Sequence, residues 1–289
     1  MTGNTGNTGN AGNAGGGGGG WSYADRVALP FVDDPDVVGT VASALNPAFG
    51  TFQWSAQWQA WQRLQADVIP NVKAFDVAAK SFSYRRKGGG EVTVGVAAFR
   101  PPSQQDIQDM VDLARNERAD ALGTIIGQKD EFISYFMGLL TATGESQPEM
   151  HALLHSASLV GHYFCMYFKG IFAAPRPSAY YPPLMPPIEV PGHPSYPSGH
   201  ATQSKLMALC LKARLGIGFD AATGNTTNGD VYGLALDALA GRVARNRQIG
   251  GLHTQNDTDA GITLALALFR MLQDMDVAWL KPPQRAAAR

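Results

Sequence analysis

The sequence predicts an all-α protein: a helical bundle with proline-rich loops and at most one small hairpin. Long stretches place apolar residues at helical spacing, and prolines and glycines separate one stretch from the next. Strand-like segments do not alternate with the helical ones, as they would in a βαβ arrangement. The pattern therefore favours helices packed on helices around a common core.

Composition limits the domain organisation and the classes of partner. The chain has 289 residues, of which 45% are hydrophobic, and a formal net charge of -1. We expect a flexible tail rich in Gly, Asn and Thr over 1–20, followed by a single helical domain over 21–289. Because the charge is balanced, no global field attracts nucleic acid, and we expect small-molecule substrates instead.

The first helix is predicted from tryptophan spacing. Trp54, Trp58 and Trp61 fall on one helical face, which we interpret as core, with a homodimer face as the open alternative. A proline then interrupts the pattern, and we expect the helix to resume over 72–79. The segment over 81–100 contains a glycine cluster and alternating residues, which indicate a small hairpin or an extended loop.

Three helices are expected in the middle of the chain. Ser103 is a candidate N-cap for the first of them. The second is expected over 120–143, with Ile126 among the residues that face the core. The third is expected over 148–172 and brings Lys169 close to its C-terminal end, where prolines stop it.

The C-terminal part is predicted to be helical apart from two loops, the proline-rich one over 177–197 and one from Gly216 to Gly229. The proline-rich segment over 177–197 is expected to be stiff and to form the rim of a pocket. A helix is predicted over 198–215, and another begins near Asp230 and turns Leu234 inward. A last helix is predicted over 256–275.

Three polar clusters follow one another in this half of the chain. In order they read Lys169-x6-Arg176-Pro177, Pro197-Ser198-Gly199-His200 and Arg247-x5-His253-x3-Asp257. They combine permanent cations, a hydroxyl, a glycine amide and two imidazoles, which are the groups needed to surround an oxyanion. One cluster alone could arise by chance, but all three in this order could not plausibly do so. We interpret them as an enzyme site for a tetrahedral or trigonal-bipyramidal oxyanion.

The spacing within the clusters suggests how the groups act. Ser198 at a helix N-cap would place its hydroxyl and the amides of Gly199 and His200 where the helix dipole favours an anion. His253 and Asp257 are four residues apart, so on a helix the carboxylate would share a face with the imidazole and orient it. We therefore expect an anion-binding helix start beside an oriented histidine.

The three clusters resemble the motifs of the superfamily that joins type 2 phosphatidic acid phosphatases, soluble bacterial acid phosphatases and vanadium-dependent haloperoxidases. The resemblance covers roughly the C-terminal half. It departs from the superfamily pattern at Asn246, where a serine is usual, although an amide can still form hydrogen bonds there. The residues implied to hold the phosphate or vanadate are Lys169, Arg176, Ser198, Gly199, His200, Arg247 and His253.

The resemblance also implies catalytic roles. His253 would attack phosphorus or act as the axial ligand of the vanadate metal, and Asp257 would orient it. His200 would be the acid-base partner, and Lys169 would polarise bound peroxide if vanadate is the cofactor. The run from His193 to Gln203 looks like the corresponding stretch of algal vanadium bromoperoxidases, in which the earlier histidine is associated with halide oxidation.

Two activities of one site follow from this resemblance. The His193 run and the lack of membrane spans favour a vanadate-dependent haloperoxidase that oxidises halide with hydrogen peroxide. The modest length favours the alternative, a soluble acid phosphatase that hydrolyses phosphate monoesters through a phosphohistidine. A non-catalytic anion-binding protein is a third hypothesis, which the retention of both cluster histidines disfavours.

Other features carry weaker indications. Cys165 and Cys210 each lie in an apolar stretch, which indicates buried thiols rather than a disulfide. His151, His155 and Glu149 raise the alternative of a metal cluster, which we disfavour because no third ligand has convincing spacing. No signal peptide is visible, so a soluble protein of cytoplasmic or periplasmic location is expected.

Overall fold

The computed structural model describes residues 55–282. The predicted tail over 1–20 and Trp54 lie outside the described residues. Within them the chain is mainly helical, with one small antiparallel sheet, and this confirms the predicted fold class. The main helices are α1 (Ala56–Arg63), α2 (Gln104–Asn116), α3 (Arg118–Asp130), α4 (Ile133–Leu139), α5 (Pro148–Phe172), α6 (Pro177–Tyr180), α7 (Gly199–Leu215), α8 (Val231–Ile249) and α9 (Gln255–Asp274).

Helix α7 is the centre of the bundle. It packs against α5, α8 and α9, and it is buried along most of its length. A helix enclosed on all sides needs no polar face, so its sequence shows little amphipathic contrast. Ser198 caps it by accepting a hydrogen bond from the amide of Ala201, and Gly216 ends it with a left-handed φ of 72°. The predicted helix over 198–215 is confirmed.

Local start signals in the sequence correctly predicted where two more helices begin. Ser103 forms a capping box with Asp106 at the start of α2. Pro148 occupies the first turn of α5, which runs without a break for 25 residues to Phe172. This long helix carries Lys169 near its C-terminal end, as predicted, and the structure buries that side chain.

The sheet replaces one predicted helix. Its strands are β1 (Val72–Asp76), β2 (Ser81–Arg85) and β3 (Glu91–Gly95), with β2 in the middle. The hairpin prediction is confirmed by β2 and β3, but the helix expected over 72–79 is wrong. Phe75 lies opposite the buried Phe82 of β2, and this cross-strand pairing outweighs the local helical pattern.

The tryptophan face of α1 does not point into the core. Trp58 is 47% exposed and Trp61 is 44% exposed, so the prediction that they are core residues is wrong. Ala56 and Ala60 are the buried residues of α1, and they pack towards α5. Helical spacing identifies a shared face, but the neighbouring elements decide which face is covered.

The helix expected over 120–143 is interrupted at Glu131 and Phe132, which separate α3 from α4. The break buries Phe132 and leaves carbonyl groups at the end of α3 without helical partners. Ile126 of α3 is 53% exposed and Leu234 of α8 is 50% exposed, so both inward-facing predictions are wrong.

Both cysteines agree with the prediction of buried thiols. Cys165 and Cys210 are free and fully enclosed in the main core, which joins the sheet to the helices. Among residues 55–282, no helix has both the length and the apolar character needed to cross a membrane.

Candidate active site

One pocket collects residues from all three polar clusters. Helix α5 brings Lys169, the following proline-rich loop brings Arg176 and His193, and α7 opens on the pocket at its N-terminus. The end of α8 and the loop after it complete the wall. The predicted residues that line the pocket are Lys169, Arg176, His193, Gly199, His200, Arg247 and His253.

Two predicted site residues lie behind this wall. The hydroxyl of Ser198 accepts the amide hydrogen of Ala201 at 3.4 Å and is completely buried, so it serves as a helix cap. The amide of Ser198 donates to the carbonyl of Asp257 at 2.8 Å. Asp257 is also buried, and it contacts His253 rather than the pocket.

The start of α7 leaves space for an anion at Gly199. A Cβ atom at this position would meet its nearest neighbours, Gln203 Oε1, Cys165 Sγ and Lys169 Cε, at 3.8 to 3.9 Å. The protein alone would therefore tolerate a side chain here. The absence of a side chain instead opens the first backbone amides of the helix, where the dipole favours negative charge.

Lys169 is buried and holds the proline-rich loop. Its Nζ donates to the carbonyls of Pro194 at 2.7 Å and Ser195 at 2.5 Å. Burial, with a further contribution from Arg176, lowers the pKa of Lys169 to about 7. The ammonium group has three hydrogens, so one remains for a bound oxyanion.

Arg176 contacts two histidines at once. Its Nη1 lies 3.1 Å from Nε2 of His253 and donates to the carbonyl of Leu252 at 3.1 Å. Its Nη2 lies 3.1 Å from Nδ1 of His193. A guanidinium group only donates, so Nε2 of His253 must be an unprotonated acceptor. Nδ1 of His193 also lies 3.2 Å from the carbonyl oxygen of Pro194, which can only accept. Burial lowers the pKa of Arg176 to about 10.

Arg247 is fully buried and has an unused donor. Its Nη2 donates to the carbonyl of Ile125 at 2.7 Å, while its Nε has no hydrogen-bond partner among the described residues. Burial lowers the pKa of Arg247 to about 10, so the group remains a cation near neutrality. A buried cationic donor without a partner is costly, and an oxyanion in the pocket would satisfy it.

His200 is oriented by the broken end of α3. Its Nε2 lies 3.0 Å from the carbonyl oxygen of Gln128, which can only accept, so Nε2 carries the hydrogen. The lone pair of the neutral ring is then on Nδ1. Burial and the charge of Arg247 hold the pKa of His200 well below its usual range. A bound anion would oppose both effects and raise the basicity of the ring.

Asn246 does not line the pocket. Its Nδ2 donates to Oε1 of Gln128 at 2.7 Å and to the hydroxyl of Thr124 at 3.1 Å, and these bonds fasten α8 to α3. The side chain that departs from the superfamily pattern therefore supports the segment that orients His200. The sequence signal for this contact is absent, since Gln128 lies 118 residues earlier in the chain.

His253 and Asp257 meet, although not on one helical face. His253 precedes α9, and Asp257 belongs to the capping box that Thr254 forms at the start of that helix. Nδ1 of His253 lies 3.3 Å from Oδ2 of Asp257. Burial and the charge of Arg176 lower the pKa of His253 to about 3. Burial would raise the pKa of Asp257, but hydrogen bonds from His253, Ser195 and Thr254 outweigh it and lower that pKa.

Sequence reasoning missed Ser195, which is buried beside this pair. Its hydroxyl lies 2.7 Å from Oδ2 of Asp257 and 3.2 Å from Nδ1 of His253. It also missed Cys165 and Met166, which line the pocket. All three lie within or near the polar clusters, but their residue types alone do not indicate a role in an oxyanion site.

The alternative metal cluster does not form. Nε2 of His151 and Nε2 of His155 lie 3.1 Å apart, but Glu149 pairs with Arg214 instead. Residues 55–282 contain no group of three or more His, Cys, Asp or Glu side chains placed to hold a metal ion.

Comparisons with known proteins give a distant likeness among solved structures. No protein family profile matches the chain, and no curated protein matches it. Among solved structures, a transmembrane PAP2-type phosphatidylglycerolphosphate phosphatase from Bacillus subtilis aligns with 61% of this chain and 78% of its own. The identity is 16% and the TM-score is 0.32, which is too low to establish a common fold.

Proposed function

We propose that this chain is an enzyme for a tetrahedral oxyanion, and that it hydrolyses phosphate monoesters through a phosphohistidine. The arrangement that supports the proposal is the contact between Arg176 and the unprotonated Nε2 of His253, 3.1 Å apart in the pocket. A nucleophilic lone pair and a cation that binds phosphate oxygens lie side by side. Arg247 and the start of α7 add further donors around the same space.

In the first step, Nε2 of His253 attacks the phosphorus atom of the ester. The N–P bond forms as the P–O bond to the alcohol breaks, and the leaving oxygen takes a proton from Nδ1 of protonated His200. The dianionic substrate raises the pKa of His200, which burial and Arg247 otherwise lower. Arg176 and Arg247 stabilise the charge on the equatorial oxygens.

In the second step, water replaces the enzyme at phosphorus. Neutral His200 accepts a proton from the water at Nδ1, the new P–O bond forms, and the N–P bond breaks. Inorganic phosphate leaves and His253 regains its lone pair on Nε2. The two proton transfers at His200 cancel over the cycle, so no external acid or base is consumed.

Met166 in the pocket wall favours ester hydrolysis over halide oxidation. A haloperoxidase releases hypohalous acid, which oxidises thioethers, and the side chain of Met166 is only partly buried, so it would be open to this attack.

Vanadate-dependent halide oxidation is the second candidate, because His193 of the bromoperoxidase-like run lines the pocket. The donor set suits vanadate as well as phosphate: Nε2 of His253 would bind the vanadium, and Arg176, Arg247 and Lys169 would hold the oxygens. Bound vanadate would supply the Lewis acidity that activates hydrogen peroxide. The protein groups would orient the anion and neutralise its charge in the same way.

One paired assay separates the candidates. Metal-free protein is tested for para-nitrophenyl phosphate hydrolysis, and then, with orthovanadate and hydrogen peroxide, for bromination of a phenolic dye. We expect hydrolysis that vanadate inhibits and that His253→Ala abolishes. Bromination without hydrolysis would overturn the phosphatase proposal in favour of the second candidate. An anion-binding protein without turnover would retain its phosphate affinity in His200→Ala and show neither activity.

A further inference from the structure

The hydroxyl of Ser195 lies between His253 and Asp257, and this residue belongs to none of the three polar clusters. Its oxygen is 2.7 Å from Oδ2 of Asp257 and 3.2 Å from Nδ1 of His253. The residue is only 1% exposed, so bulk water does not compete for these contacts. A buried hydroxyl in this position has to form its hydrogen bonds with these neighbours.

The single hydroxyl hydrogen of Ser195 decides the direction of each contact. The carboxylate of Asp257 is the nearest acceptor at 2.7 Å, whereas the carbonyl of Leu252 is 3.4 Å away. The hydrogen therefore points at Asp257, which is also the stronger acceptor. Only lone pairs remain for His253, so Nδ1 of His253 must donate to Ser195.

The contact with Arg176, on the opposite side of the His253 ring, indicates the same tautomer. Its Nη1 lies 3.1 Å from Nε2 of His253 and can only donate, so Nε2 carries no hydrogen. A neutral imidazole has one ring hydrogen, which must then be on Nδ1. The two contacts thus agree that the free lone pair of His253 is on Nε2, which faces Arg176.

Asp257 alone would hold the ring weakly. Its Oδ2 is 3.3 Å from Nδ1 of His253, beyond the usual range for such a bond, and also accepts the amide of Thr254 at 3.0 Å. Ser195 shares the Nδ1 hydrogen and also fixes Oδ2. We propose that Ser195 is a positioning residue that, together with Asp257, keeps the Nε2 lone pair of His253 directed into the pocket. This inference rests on the proposed function and applies equally to attack on phosphorus and to ligation of vanadate.

The kinetic test compares Ser195→Ala with Ser204→Ala. Ser204 is a fully buried serine of α7 whose hydroxyl donates to the carbonyl of Ala240 at 3.2 Å, so it loses a similar bond outside the site. We expect Ser195→Ala to lower kcat for para-nitrophenyl phosphate by about 10- to 100-fold, with KM little changed, because the cations that bind the anion remain. Ser204→Ala should keep the kcat of the wild-type enzyme.

A double variant tests whether Ser195 acts through the same pair. If it does, Ser195→Ala combined with Asp257→Ala should lose much less activity than the product of the two single losses. Independent roles would give multiplicative losses, and that result would overturn the proposed mechanism of positioning.

Nitrogen-15 NMR of labelled histidine gives a readout that does not depend on turnover. The wild-type spectrum should show His253 with its hydrogen on Nδ1, assigned by comparison with His253→Gln, and Ser195→Ala should shift it towards a mixture of tautomers. Unchanged kcat with an unchanged tautomer in Ser195→Ala would overturn the inference while leaving the proposed function intact. If Ser195→Ala changes the tautomer of His253 but the wild-type protein shows no turnover, the proposed function is overturned and the positioning role of Ser195 is retained.

Discussion

Nη1 of Arg176 lies 3.1 Å from Nε2 of His253, so the proposed nucleophile and one of the proposed anion-binding groups are in direct contact. An arriving oxyanion competes with His253 for this guanidinium group. When the anion accepts the hydrogen bond of Arg176 in place of His253, the lone pair of His253 becomes free beside the phosphorus atom. Binding and activation of the nucleophile are therefore coupled through one side chain, and this coupling makes the planar shape of Arg176 as important as its charge.

Arg176→Lys should retain a positive charge but lose this coupling. A lysine ammonium group cannot bridge His193, Leu252 and His253 in the way that the guanidinium group does. We expect kcat/KM to fall by about 100-fold, which is the cost of removing one preorganised donor in other enzymes. Steady-state hydrolysis of para-nitrophenyl phosphate measures the change. A Lys variant with nearly full activity would show that charge alone is sufficient.

The pH dependence should report Lys169. Burial lowers its pKa from the ordinary 10.5 to about 7, so the ammonium group is lost as the pH rises through neutrality. We expect kcat/KM to decrease above about pH 7. A bound anion favours the charged form of Lys169, so the corresponding decrease in kcat should occur at higher pH. In Lys169→Arg the decrease in kcat/KM should disappear, because arginine stays charged in this range. The same decrease in both proteins would show that another group causes it.

Inorganic phosphate should stabilise the folded protein. Arg176 and Arg247 are cations whose pKa values are lowered by burial, and a bound oxyanion would compensate for their desolvation. At a phosphate concentration 100 times Kd, about 2.7 kcal/mol of stabilisation corresponds to a rise in Tm of roughly 5–10 °C. Differential scanning fluorimetry measures this shift.

A matched pair of variants locates that stabilisation. Arg247→Met removes a pocket cation, whereas Arg242→Met removes an exposed one from the same helix, α8. The phosphate-dependent shift in Tm should disappear only in Arg247→Met. Equal loss in both variants would mean that phosphate acts through general surface electrostatics rather than through the pocket.

Asn246→Ser, which introduces the usual superfamily residue, should destabilise this protein. A serine hydroxyl is too short to replace both amide bonds that Asn246 makes, to Gln128 at 2.7 Å and to Thr124 at 3.1 Å. We expect a loss of about 1–3 kcal/mol in the free energy of unfolding, since Gln128 would be left with a buried unpaired oxygen. Urea denaturation measures it. A variant as stable as the wild type would show that these bonds contribute little.

Local signals in the sequence were enough to predict the helical class and several element boundaries. Ser103, Pro148, Ser198 and Gly216 act on the backbone within one turn, so their effect does not depend on distant contacts. The hairpin was predictable for the same reason, because glycines and alternation are local properties. The three polar clusters also identified six of the 16 residues that line the pocket.

Long-range contacts decided the remaining features. The strand at Phe75 depends on Phe82, and the exposure of Trp58 and Trp61 depends on which face of α1 meets α5. The bond from His200 to the carbonyl of Gln128 spans 72 residues and uses a backbone group that any residue type provides. Such a contact leaves no pattern in the sequence.

The sequence by itself therefore determined which chemical groups are available and which fold class the chain adopts, because residue type and periodicity are local properties of the sequence. Only the tertiary structure decided how those groups are protonated and aimed. Ser195 and Asp257 act on His253 across 58 and 4 residues, and Arg176 acts across 77. The tautomer and orientation of an imidazole depend on distances of a few tenths of an ångström, which are set when the helices pack.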